Sequence, residues 1–245
     1  MSILKVVNTG SHSGNSYIVK SNGKTLLLDA GAKYKDILRS LDYSILDLSG
    51  VLLTHAHKDH TKSGKDFITS GIPTFGHVEL KNHLDGIISV PEKKRFKAGE
   101  FLVVPFYVPH TTRSEITGEI VACPNYAYLI FLPNGEKLLY ATDFEFIPVT
   151  FKSFKIEHWL IECNHIDEIV DHDTGKYEHV LKGHSSLSTV KDVIKTNKHD
   201  GMKNIILCHL SSENAHEERM VREIQEIVPG VNIFVAEKGL EVNLC

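Results

Sequence analysis

The sequence predicts an α/β protein whose chemistry sits at strand ends, and three observations predict it. Short apolar runs recur, and each closes on a histidine or an acid: Val51 to Leu53 before His55, Phe106 to Val108 before His110, Lys137 to Ala141 before Asp143, Trp159 to Ile161 before Glu162, and Asn204 to Leu207 before His209. Strand ends that carry polar groups are where α/β folds build their sites. Helical periodicity appears between these runs, most clearly from Asn214 to Val228, where Met220, Val221, Ile224 and Ile227 share one side. Finally, 245 residues with 42% hydrophobic and 24% charged side chains are enough for one large domain with a sizeable core. No internal repeat, low-complexity tract or linker divides the chain, so residues 1–245 read as a single domain.

Taken in order, Ile3 to Val7 and Ser16 to Val19 read as strands around the turn Thr9 to Asn15. Asn22-Gly23 supplies the positive φ angles of a hairpin turn into a third strand, Thr25 to Leu28. Asp29 then either caps the following helix, Tyr34 to Leu41, or supports metal ligands from behind. After His60, Thr61 to Ser70 reads as a short helix and His77 to Leu84 as another, with His77 and His83 read as surface residues. Lys93-Lys94-Arg95-Phe96-Lys97 reads as a solvated turn after Pro91 rather than a basic binding patch. Phe101 to Pro105 and Phe106 to Val108 are strand-like, and Tyr126 to Phe131 pairs with Lys137 to Ala141 about Pro133-Asn134-Gly135. Trp159 to Ile161, a helical segment from Gly183-His184-Ser185 to Thr196, the strand Asn204 to Leu207 and a last strand, Val231 to Val235, complete the pattern.

The densest chemistry is Thr54-His55-Ala56-His57-Lys58-Asp59-His60. His55 and His57 alternate on an extended segment, so both can face one ion. Asp59 and His60 follow where the chain turns and can face a second. Neutral imidazole with carboxylate suits Zn²⁺, with Mn²⁺ or Fe where oxygen ligands dominate. This cluster predicts a metalloenzyme, and a total of 15 histidines agrees with it.

Composition narrows the partners. A net charge of −4 argues against a broad basic face for duplex nucleic acid. Cys123, Cys163, Cys208 and Cys245 are scattered without a Cys-x-x-Cys pair, as expected of reduced thiols in the cytoplasm. Met1 to Asn8 lacks a signal pattern and no apolar run is long enough to span a bilayer, so the expectation is a soluble cytoplasmic protein with no membrane partner.

With these residues in place, the sequence resembles the metallo-β-lactamase superfamily over essentially its whole length. The resemblance implies an αββα sandwich: two mixed β-sheets flanked by helices, with two metals at one edge. It implies that His55, His57 and His110 hold one metal, that Asp59, His60 and His209 hold the other, and that Asp143 bridges them. Two Zn²⁺ ions are the expected cofactors. Asp59 would orient the attacking hydroxide. His184 looks like the non-ligand histidine that protonates the leaving group in the related tRNase Z enzymes.

The segments Thr9 to Asn15, Glu162-Cys163-Asn164-His165, Gly183 to Ser188 and His209 to Asn214 resemble the YycJ-type nuclease branch. Two positions differ: Thr111 follows His110 where that branch usually carries Asp, and Tyr177 to Lys182 lacks an arginine. The phage anti-Pycsar phosphodiesterases resemble the chain with these differences. That resemblance implies hydrolysis of a small-molecule cyclic nucleotide (cyclic CMP, cyclic UMP or another cyclic mononucleotide) to a nucleoside monophosphate. It also implies immune evasion in the host cytoplasm if the protein is phage-encoded, and a homodimer. The alternative expectation is a YycJ-like DNA or RNA nuclease. A thioester, lactone or β-lactam hydrolase on the same fold is a third.

Overall fold

The computed structural model describes residues 1–113, 117–170 and 183–245. Its first sheet is built from β1 (Ser2–Asn8), β2 (Ser16–Ser21), β3 (Lys24–Leu28), β4 (Leu48–Leu52), β5 (Thr74–Gly76) and β6 (Ile88–Ser89). Helices α1 (Tyr34–Ser40), α2 (Lys58–Thr61) and α3 (Gly64–Thr69) lie in the connections. The second sheet uses β7 (Phe96–Ala98) and β8 (Phe101–Val108); a two-stranded ribbon, β9 (Thr111–Arg113) with β10 (Ile120–Ala122), follows. The second sheet continues through β11 (Asn125–Phe131), β12 (Lys137–Ala141) and β13 (His158–Glu162). Helix α4 (Leu187–Asn197), β14 (Asn204–Cys208), helix α5 (Glu217–Ile227) and β15 (Asn232–Val235) come next, and β16 (Glu241–Asn243) returns to the first sheet.

The first sheet runs β16-β1-β2-β3-β4-β5-β6 and the second β15-β14-β13-β12-β11-β8-β7. Both are mixed. β3 to β6 are parallel neighbours, as are β12 to β15, while β1, β2 and β11 pair antiparallel. Alternation along each strand splits its side chains between two cores. Val19, Leu26 and Leu28 meet Leu138, Tyr140, Leu160 and Ile206 between the sheets. Their neighbours Ile18 and Leu27 pack outward with Ile37 and Phe67, whereas Leu139 and Ile161 pack outward with Val190 and Ile224 of α4 and α5. Strands buried on both faces explain why the sequence shows near-continuous apolar runs there. The expected αββα sandwich of two mixed sheets flanked by helices is the architecture found.

Local differences have physical reasons. Phe101 to Val108 is one strand despite Pro105, because β7 pairs only with Phe101 to Val103 and the Pro105 carbonyl accepts from the Lys93 amide instead. The expected helix His77 to Leu84 is a 3₁₀ turn, Val78–Asn82. Helix α5 starts at Glu217 rather than Asn214, since the Ser211 hydroxyl accepts from the Glu213 and Asn214 amides and holds a turn there. The run Lys93 to Lys97 is a largely exposed turn into the edge strand β7. Among the described residues no helix is long and apolar enough to cross a membrane.

Candidate metal centre

The centre lies where the C-terminal ends of parallel strands from both sheets converge. The first sheet supplies Asp29 after β3 and His55 after β4, then His57, Asp59 and His60 at the start of α2. The second sheet supplies His110 after β8, Asp143 after β12, Glu162 at the end of β13 and His209 after β14. His184 stands just ahead of Ser186, which caps α4. Asp29, Asp143 and His209 adopt φ of +53°, +52° and +53°. Left-handed non-glycine residues cost roughly 1–3 kcal/mol each, so the surrounding structure must hold them.

Two groups of ligand-type atoms meet here. His57 Nδ1 lies 2.9 Å from His55 Nε2 and 3.3 Å from His110 Nε2. Asp59 Oδ2 lies 3.3 Å from His60 Nε2 and 3.4 Å from His209 Nε2. Asp143 stands between the groups: Oδ2 is 3.1 Å from His60 Nε2, and Oδ1 is 3.3 Å from His184 Nδ1 and 3.9 Å from His209 Nε2.

The far nitrogen of each ring is occupied, which sets the near one. His60 Nδ1 donates to Asp29 Oδ2 at 2.7 Å, His110 Nδ1 to the Gly183 carbonyl at 2.8 Å, and His209 Nδ1 to Glu162 Oε1 at 2.9 Å. His55 Nδ1 meets Thr54 Oγ1 at 3.0 Å, and that hydroxyl itself donates to Asp29. His57 Nε2 meets Thr112 Oγ1 at 2.9 Å. These partners leave lone pairs of His55 and His110 aimed at the shared centre, the tautomers following from the network. Imidazoles braced from behind by carboxylate, carbonyl or hydroxyl are the usual support of metal-binding histidines. The donor set therefore fits a cation in each group.

Electrostatics separate the two groups. Burial drives the pKa of His55, His57 and His110 down, to about 4 for His110, so these rings are neutral near pH 7. Burial also opposes charge on His60 and His209, but the carboxylates outweigh it. Asp143, Asp29 and Asp59 raise His60, while Asp143, Asp59 and Glu162 push His209 up to about 10. His184 is likewise raised against its burial, chiefly by Glu162, whose Oε1 is 2.8 Å from its Nδ1.

Three supports lie beneath these side chains. Asp29 is fully buried and accepts from Thr54, His60 and the Tyr140 hydroxyl, so it braces the centre and does not cap α1. Glu162, also fully buried, holds His184, His209 and the Ser185 amide. The Asn15 side-chain amide reaches Asp59 Oδ2 at 3.2 Å and His60 Nε2 at 3.1 Å. The sequence pattern marks Glu162 as an acid closing an apolar strand without giving it a role, and Asn15 shows only as a turn residue.

Beside the centre lies a cavity of about 310 Å³ with His57, Leu80, Thr112 and Cys123 in its wall. His77, read from sequence as a surface residue, borders this cavity and packs edge-on against Tyr126. His83 is exposed on its rim. Tyr177 to Lys182, the stretch without an arginine, lies within residues 171–182, which are outside the described residues.

The profile of the metallo-beta-lactamase superfamily matches residues 9–190, and the chain belongs to that superfamily. It is similar to Exodeoxyribonuclease YycJ of Bacillus anthracis, at 26% identity over 258 residues covering 95% of this chain and 91% of that protein. A shorter stretch is similar to Anti-Pycsar protein Apyc1 of Paenibacillus xerothermodurans, 33% identical over 69 residues, which is 26% of this chain and 28% of that protein. Among solved structures, the metallo-beta-lactamase fold protein YhfI from Bacillus subtilis matches with a TM-score of 0.73 and 19% identity over 98% of both chains. The two resemblances drawn from the motifs are thus both met among the relatives. The chain is a metal-dependent hydrolase with a dinuclear metal site.

Proposed function

We propose that this chain is a dinuclear-metal phosphodiesterase that hydrolyses cyclic mononucleotides to nucleoside monophosphates. The observation that carries the reading is the meeting of both ligand groups on Asp143, with His184 held by Glu162 at the same carboxylate. His55, His57 and His110 would hold one ion, Asp59, His60 and His209 the second, and Asp143 both. Histidine-rich donors favour Zn²⁺, with Mn²⁺ or Fe as the alternatives. Two such ions supply Lewis acidity toward a phosphoryl oxygen and a water activated near neutral pH.

The chain's own groups do the rest. Asp59 presents a carboxylate that orients the attacking water. Glu162 fixes His184 through Nδ1, so that proton delivery to the departing sugar oxygen runs through Nε2. His184 retains 15% side-chain exposure, enough to meet a substrate. The small adjoining cavity and the chain's negative net charge favour a mononucleotide over a polymer. The same reading includes a homodimer of one-domain chains in the cytoplasm, acting to silence a cyclic-nucleotide signal in a host cell.

One observation favours a second reading, an exodeoxyribonuclease: the similarity to YycJ extends over nearly both chains, whereas that to the anti-Pycsar protein is local. A side-by-side turnover assay on the metal-loaded protein separates them. Ring opening of cyclic CMP, UMP, AMP or GMP with intact polymers is the expected result. Cleavage of single- or double-stranded DNA or RNA with untouched cyclic nucleotides would replace the first reading by the second.

A further inference from the structure

We infer that the cavity beside His57 is the nucleobase subsite of this centre and that Glu79 on its rim selects an amino-bearing base; the inference rests on the phosphodiesterase reading above. Its position supports this. The His57 ring is a shared wall, with Nδ1 facing His55 and His110 and Nε2 facing Thr112, which lines the cavity. A phosphate at the centre therefore has its nucleoside within reach of the cavity, whose 310 Å³ is at the small-ligand end of the usual range.

The lining suits a planar heterocycle with one polar edge. Leu80 and Cys123 are buried and Pro124 adjoins them, giving an apolar floor. His77 and Glu79 stand on the rim. The His77 ring is held edge-on to Tyr126 with centroids 5.2 Å apart, and Tyr126 in turn donates to the Val90 carbonyl at 3.2 Å. His77 Nδ1 accepts from the Glu79 amide at 3.2 Å, which places the ring proton on Nε2 and makes His77 a donor. The Glu79 carboxylate, by contrast, only accepts. Cytosine offers an exocyclic amine where uracil places a carbonyl oxygen, so an acceptor at this edge prefers cyclic CMP to cyclic UMP. Desolvating that oxygen against a carboxylate is unfavourable as well.

The test uses the metal-loaded protein with cyclic CMP, cyclic UMP and methyl 4-nitrophenyl phosphate, a diester with no base. Ala122 is exposed at the cavity edge, so Ala122→Phe fills the space; Glu79→Gln replaces the acceptor by a group that also donates. The ratio of kcat/KM for cyclic CMP to that for the base-free diester should fall about tenfold in Ala122→Phe, mainly through KM. The preference for cyclic CMP over cyclic UMP should fall about tenfold in Glu79→Gln. Saturation-transfer NMR with cytidine on chelator-treated protein adds a readout independent of turnover: the base protons should receive magnetisation from the wild-type protein and lose it in Ala122→Phe. Unmoved ratios in variants that melt with the wild type, or an undiminished cytidine signal in Ala122→Phe, overturn the subsite. If the wild-type protein hydrolyses none of the three diesters, the phosphodiesterase reading falls, while the cytidine signal still decides the subsite.

Discussion

Asp143 is held from several sides. The Thr142 hydroxyl donates to Oδ2 at 2.6 Å, and the Asn125 amide ties the Thr142 and Asp143 carbonyls at 2.7 and 2.6 Å. A left-handed residue so restrained places its carboxylate between the two ligand groups and next to His184. Asp143→Ala is therefore expected to abolish turnover and to lower bound metal, counted by elemental analysis; retained activity would sink the dinuclear reading. Asp29→Asn keeps the size but weakens the bonds to His60 and Thr54, and a loss of about 10–100-fold in metal affinity or activity is expected. His184→Ala should lower kcat by about 10²–10⁴ on a substrate with a sugar leaving group. A 4-nitrophenolate leaving group departs without a proton, so its hydrolysis should suffer far less. Equal losses on both substrates would remove His184 from the role of acid.

At the scale of elements, α2 is only four residues long and cannot hold Asp59 and His60 by itself. The loop before β2 and the one after β3 clamp it. The Asn15 amide donates to the Asp59 carbonyl at 2.7 Å, the Ala30 amide to the His60 carbonyl at 2.8 Å, and the Gly31 amide to the Asn15 carbonyl at 3.0 Å. The backbones approach so closely that a Cβ at Gly31 would lie 1.6 Å from the Asp59 carbonyl oxygen. Gly31→Ala must push α2 away. A destabilisation above about 3 kcal/mol is expected, seen as a melting temperature lower by about 6 °C or more. A variant that melts with the wild type and binds metal normally would show that the clamp is not needed. On the opposite sheet, Leu160 is fully buried between the two layers. Leu160→Ala should cost about 2–5 kcal/mol in denaturant unfolding.

At the scale of the molecule, the candidate ligands come from both sheets: His55, His57, Asp59 and His60 from the first, His110, Asp143 and His209 from the second. Bound ions would cross-link the layers at one edge. Chelation should lower the melting temperature, and added metal should restore it with a logarithmic dependence on concentration. Far from this edge, His158 is fully buried, its Nε2 donating to Glu136 Oε2 at 2.8 Å and its Nδ1 accepting from Asn204 at 3.0 Å. Burial lowers its pKa below the usual 6.5, with Glu136 partly opposing the shift. The unfolded chain thus takes up a proton that the folded chain resists, so stability falls as pH drops from 6.5 toward the folded midpoint. An NMR titration should place the His158 midpoint below 6.5, and Glu136→Gln should move it lower still. A midpoint at or above 6.5 would contradict this account.

The sequence by itself determined the α/β class and the long strands, because strands buried on both faces leave apolar runs that local inspection can see. It also displayed the dense cluster His55 to His60, since those ligands are neighbours along the chain. The strands β5, β6, β7, β9, β10 and β16 were not legible, because two or three residues carry no periodicity and their pairing is set by neighbours distant in sequence. Only the tertiary structure decided that Asp29 braces His60 rather than capping α1, that Glu162 holds His184 and His209 together, and that His77 borders a cavity instead of lying on open surface. Each of these depends on bringing together residues distant along the chain, 31 apart for Asp29 and His60 and 47 apart for Glu162 and His209, and a proximity of that kind is produced by strand pairing and by packing two sheets face to face, not by any local propensity.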